Sequence, residues 1–114
     1  MEIRGNVLHK VEKEDVREGT VIVPEGITRI AKNTFRNKMG VFSVILPKSL
    51  SVIEDCAFRA CWELTHLAVP DSVSAIGEYA FAFNPSLEKI KLPKNLSEIS
   101  LGLFSDLSLL EELE

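Results

Sequence analysis

Cysteine, histidine and clustered charge are all scarce in this 114-residue chain, and each scarcity removes a class of function. Two cysteines, Cys56 and Cys61, cannot build the disulfide framework of a small secreted domain. The two histidines, His9 and His66, stand without any HExxH, GxSxG, GxGxxG or P-loop sequence. An enzyme, a cofactor and a metal centre are therefore not expected. Thirteen basic side chains are scattered among 17 acidic ones, for a net charge of −4 and a pI near 5.2. Phosphate backbones are bound by clustered Lys and Arg, so no nucleic acid partner is expected. No apolar run approaches the roughly 18 residues that span a bilayer, so no membrane insertion is expected either. The opening MEIRGNVLHKVEKEDV is charged too early for a secretory signal. That places the chain in the cytoplasm, or at the surface or outside the cell if it is a fragment of a larger precursor.

What the chain has in quantity is aliphatic residues on a fixed ruler. Hydrophobic residues make up 46% of it, and four of its five prolines, Pro24, Pro47, Pro70 and Pro93, lie 23 residues apart. The windows 21–43, 44–66, 67–89 and 90–112 align into apolar columns. Val23, Leu46, Val69 and Leu92 precede the prolines; Ile27, Leu50, Val73 and Leu96 follow by three; Ile30, Ile53, Ile76 and Ile99 by six. Phe35, Phe58, Phe81 and Phe104 fill a fourth column, Val41, Leu64, Leu87 and Leu110 a fifth, and Val44, Leu67, Ile90 and Leu113 a sixth. Such a period means a coil: each repeat makes one circuit with its columns pointing inward, and buries them by stacking on its neighbours.

Each circuit can be divided by its local pattern. SVILP, HLAVP and KIKLP alternate apolar and polar at period two, as short strands that stack into a parallel sheet. Proline ends each strand, and PEG, PKS, PDS and PKN are turns. ITRI, LSVI, VSAI and LSEI read as extended segments on the opposite side. DCAF and EYAF then predict one helical or 3₁₀ turn that carries the phenylalanine inward. Residues 1–20 form an N-terminal cap before a solenoid over 21–114. Val7, Leu8 and Val11 in that cap suit a short helix or a paired strand about equally.

Repeat three, LAVPDSVSAIGEYAFAFNPSLEKI, and the stretch IEDCAFRACWELTHLAVP resemble the BspA-like leucine-rich repeats, whose unit reads LxxIxLPxxVxxIxxxAFxxCxxL. The resemblance covers residues 19–113. It implies a right-handed leucine-rich-repeat solenoid of four coils, an α/β repeat with parallel strands on the concave face and extended segments and short helical turns elsewhere. It also implies a structural role for Cys61 and Asn84, which share one column with Lys38, and an adhesin-like or interaction role for the whole.

Chemistry-bearing residues reduce to surfaces. Cys56, Cys61 and His66 have a CxxxxCxxxxH spacing, but the coil places His66 on a different side from the cysteines, which read as reduced packing residues. The outward strand positions form one continuous face: Thr20 and Ile22, Ser43 and Ile45, His66 and Ala68, Lys89 and Lys91. That face grades from apolar to basic and suits a protein or peptide partner. Phe42, Trp62, Tyr79 and Phe83 are an alternative rim, with Trp62 sharing a column with Met39 and Pro85. The last coil has no cap in this sequence. Leu107, Leu109, Leu110 and Leu113 are the alternative site, for self-association as a homodimer.

Overall fold

A computed structural model describes residues 1–94, 96, 100, 102–105 and, as backbone, 112–113. The circuits close as a β-solenoid of about four turns with almost no helix. One parallel sheet is built from β3 (Thr20–Ile22), β5 (Ser43–Ile45), β7 (His66–Ala68), β9 (Lys89–Lys91) and β10 (Glu112–Leu113). Its register is the 23-residue ruler itself: Thr20 pairs with Ser43, Ser43 with His66, His66 with Lys89, and Lys89 with Glu112. Strand side chains alternate between faces, so Val21, Val44, Leu67 and Ile90 point inward and are buried. A second sheet stacks β4 (Arg29–Ile30), β6 (Val52–Ile53) and β8 (Ala75–Ile76) on the opposite side. Ile30, Ile53 and Ile76 supply its inner face.

The first 20 residues resolve the ambiguity between helix and strand in favour of strand. β1 (Glu2–Arg4) and β2 (Val7–Lys10) form an antiparallel hairpin, and β2 pairs in parallel with β4. Helical spacing of Val7, Leu8 and Val11 loses to the ladder, because Leu8 is placed against Ile30 at the base of the stack and both are fully buried. A single 3₁₀ turn, Lys13–Asp15, follows. Asp15 accepts the Glu12 amide and receives the Met1 ammonium at 2.7 Å, and that ammonium holds its carboxyl below the usual range.

The phenylalanine turns keep the three-residue-back bonds of the expected helical or 3₁₀ turn but interrupt them. Two kinds of hydrogen bond alternate along them. The amides of Asn33, Phe35 and Asn37 donate to the carbonyls of Asp55, Ala57 and Arg59 one coil on, at 3.3, 2.7 and 3.1 Å. Between them, Thr34, Arg36 and Lys38 donate three residues back, to Ala31, Asn33 and Phe35. Cys56, Phe58 and Ala60 repeat the outward pattern to Glu78, Ala80 and Ala82. Turning alternate amides toward the next coil requires left-handed backbone, and it recurs by column: Asn33, Cys56, Tyr79 and Gly102, then Asn37, Ala60 and Phe83, with φ from 57° to 67°. A continuous helix would satisfy its amides internally and leave this side of the stack untied.

Between the three sides lies one core. Phe35, Phe58 and Phe81 are fully buried, with centroids 4.7 Å apart and nearly parallel for the first pair, 5.8 Å apart and tilted for the second. Phe104 is only partly buried against the same cluster.

Candidate partner-binding face

On the turn and second-sheet sides, side chains tie one coil to the next. On the turn side, Asn84 is fully buried; its Oδ1 accepts the Cys61 amide at 2.7 Å, and its Nδ2 donates to the carbonyls of Phe58 and Phe81 at 3.0 and 2.6 Å. Cys61, one coil earlier in the same column, donates its thiol to the Phe35 carbonyl at 3.1 Å. Burial pushes that thiol up to about 12, against a smaller opposing pull from Lys38. Both cysteines are free thiols. In the first coil Thr34, four residues before that column, bonds the carbonyls of Ala31 and Leu8 at 2.7 and 3.2 Å. Among the described residues no buried side-chain nitrogen or oxygen lacks a partner.

On the second-sheet side, a column of hydroxyls reaches down one coil: Thr28 to the Asn6 carbonyl, Ser51 to that of Thr28, and Ser74 to that of Ser51. Arg29 and Glu54 pair at 2.9 Å across the outer surface. Gly77 is there because Asp55 presses against it; a Cβ would overlap both the carboxylate and the backbone of Asp55. The sequence reading missed this hydroxyl column, although Thr28, Ser51 and Ser74 share a position in their repeats.

The face of the first sheet differs. Its backbone is joined from coil to coil by the ladder, so its outward side chains are not needed for that connection. Ile22 and Ile45 are 63% and 53% exposed, His66, Ala68, Lys89 and Lys91 are exposed, and Thr20 and Ser43 are half-buried. The structure brings these eight residues onto one surface: Thr20, Ser43, His66 and Lys89 are in register along it, as are Ile22 with Ile45 and Ala68 with Lys91. Ser43, Ile45, His66, Ala68, Lys89 and Lys91 line a hollow of about 420 Å³. Thr20 and Ile22 line a separate, smaller one beside Met1, Asp15 and Arg17. His66 Nδ1 lies 3.0 Å from the Thr65 hydroxyl. Among the described residues no group of His, Cys, Asp and Glu is arranged to hold a metal ion, and no helix is long and apolar enough to cross a membrane.

The four rim aromatics do not form one cluster. Phe42 lays its ring against Gly19, and a Cβ there would overlap it. Trp62 is 45% exposed, and Met39, which holds the same repeat position one coil earlier, is exposed as well. Tyr79 and Phe83 are half-buried around Arg59, whose guanidinium carbon is 5.9 and 4.8 Å from their ring centroids. Of the proposed self-association residues, Leu107, Leu109 and Leu110 lie outside the described residues, as does the side chain of Leu113.

A two-sheeted stack with one side-chain system per 23 residues has a counterpart in sequence. The BspA type leucine rich repeat region matches residues 17–114, in six copies. The chain belongs to that family. Among solved structures, the pneumococcal vaccine antigen PcpA is 26% identical with a TM-score of 0.68, over 82% of this chain and 24% of that one. A leucine-rich repeat protein of Eubacterium ventriosum is 15% identical with a TM-score of 0.67, over 83% and 32%. The T. pallidum leucine rich repeat protein TpLRR is 18% identical with a TM-score of 0.58, over 94% and 72%. This chain thus spans about a quarter of PcpA and a third of the E. ventriosum protein. No curated protein matches it. Leucine-rich repeats of this kind are in general protein-interaction modules and not enzymes.

Proposed function

We propose that this BspA-type repeat chain is a non-enzymatic module that binds a protein or peptide on the face of its first sheet. The observation that supports the reading is the unequal use of side chains. The turn and second-sheet sides spend theirs on neighbouring coils, whereas Ile22, Ile45, His66, Ala68 and Lys91 are exposed on a surface whose backbone is already paired. Exposed aliphatic residues beside cations are the ingredients of an interface core and its rim. The test is affinity capture from an extract of the source organism with the wild-type chain, the Lys89→Glu/Lys91→Glu variant and a Lys48→Glu control on the proline turn. Recovery lost only with the face variant is expected. Equal recovery with all three removes the face from consideration.

A further inference from the structure

The face changes character along the stack, and the change is abrupt enough to specify a partner. At its lower end Ile22 and Ile45 stand in direct register on β3 and β5. At its upper end are the polar ring of His66 on β7 and two cations, Lys89 and Lys91, on β9, on a protein of net charge −4. Between them Ala68 forms a low floor to the hollow. Glu112 is in register with Lys89, so that lysine has an acidic residue on the next strand. Lys91 instead stands opposite Ala68 and makes no ion pair with any described residue. A polyanion such as nucleic acid is opposed by the overall negative charge and needs more cations than these. One or two carboxylates fit.

Distance then fixes spacing. Neighbouring strands lie about 4.8 Å apart, so Lys91 is roughly 10 Å from Ile45 and roughly 14 Å from Ile22 along the stack; an extended chain covers that in about three to four residues. Resting on the interaction reading above, we propose that the occupant is an extended protein segment lying across the strands. It sets an aliphatic side chain over Ile22 and Ile45, crosses Ala68 and, three to four residues on, places an Asp or Glu carboxylate at Lys91. Lys91 then sets orientation and the isoleucines supply the apolar contact.

The probe is the synthetic peptide acetyl-Ser-Ile-Leu-Ser-Ser-Glu-Glu-Ser-amide, titrated into the ¹⁵N-labelled chain and followed by amide shifts. Shifts at Ile45, Ala68 and Lys91 are expected, with affinity falling as salt is raised. Replacing both glutamates by glutamine, or Lys91 by Glu, should weaken binding roughly five- to tenfold. A peptide with two lysines in place of the glutamates should recover binding to Lys91→Glu, whose fold is checked by circular dichroism. Equal affinity for the glutamine peptide, shifts centred elsewhere, or no shifts at millimolar peptide each overturn the proposal. If those outcomes accompany face-dependent capture of a partner from extract, only the segment chemistry is wrong. If capture is also independent of the face, the interaction reading falls with it.

Discussion

The strand face and the phenylalanine turns solve the same problem, joining one coil to the next, by opposite means. Between β5 and β7, or β7 and β9, the backbone ladder makes the connection and the outward side chains are left unspecified. At the turns the backbone connects only because residues such as Cys56, Tyr79 and Phe83 accept a left-handed conformation, and because Asn84 and Cys61 reach into the neighbouring coil. The turn side therefore has little room to vary without loss of the fold, whereas the strand face can change its chemistry at little cost to stability. A repeat protein built this way keeps structure and recognition on separate surfaces.

Substitutions that exchange the two behaviours test this separation. The largest effect should come from Phe58→Ala, which removes the middle ring of the stack and loosens contacts with both Phe35 and Phe81; a loss of about 3–5 kcal/mol is expected in urea unfolding. Asn84→Leu leaves the Cys61 amide and two carbonyls without their buried partner, and about 2–3 kcal/mol should be lost in the same assay. The Cys61 thiol gives a pH signature. Its folded value of about 12 lies above the ordinary 9.0, so its share of stability is complete below pH 9, declines as pH rises through that range and is lost by pH 12. A Cys61→Ala variant should show a shallower alkaline decline, and a thiol reagent should modify native wild type at Cys56 well before Cys61. Ala60→Gly runs the other way: relief of left-handed strain at φ 58° should raise stability by about 0.5–1 kcal/mol. Smallest of all, Ile45→Thr combined with Lys91→Gln should change unfolding by less than about 0.5 kcal/mol. A loss of several kcal/mol from that face pair would end the distinction.

The columns were legible in the sequence because burial of aliphatic residues repeats with the ruler. Val21, Val44, Leu67 and Ile90 on one side, Ile30, Ile53 and Ile76 on the other, and the buried phenylalanines are where the period puts them. So were the eight outward positions of the strand face, which follow from alternation once the strands are placed. The turn geometry was not legible. Left-handed backbone is normally signalled by glycine or asparagine, and here Gly102, Asn33 and Asn37 give that signal while Cys56, Ala60, Tyr79 and Phe83 conceal it. The role of Asn84 could be guessed from its column, but not that one amide serves three backbone groups. The hairpin at residues 2–10 was ambiguous because seven or eight residues of apolar spacing do not separate a period of 3.6 from one of two. Only the presence of β4 beside it decides.

The side-chain hydrogen bonds carry a consequence for how such a protein changes its length. Ser49 to Ile27, Cys61 to Phe35, Asn84 to Cys61 and Ser100 to Ile76 all connect residues between 22 and 26 apart. Excising one whole period brings together ends that expect the same neighbours, so every bond type can be remade between coils that had never touched. Cutting one residue more or fewer puts each donor opposite the wrong acceptor along the entire seam. The molecule can therefore grow or shrink only in whole circuits, and each circuit gained extends the strand face by one more row of exposed side chains open to selection.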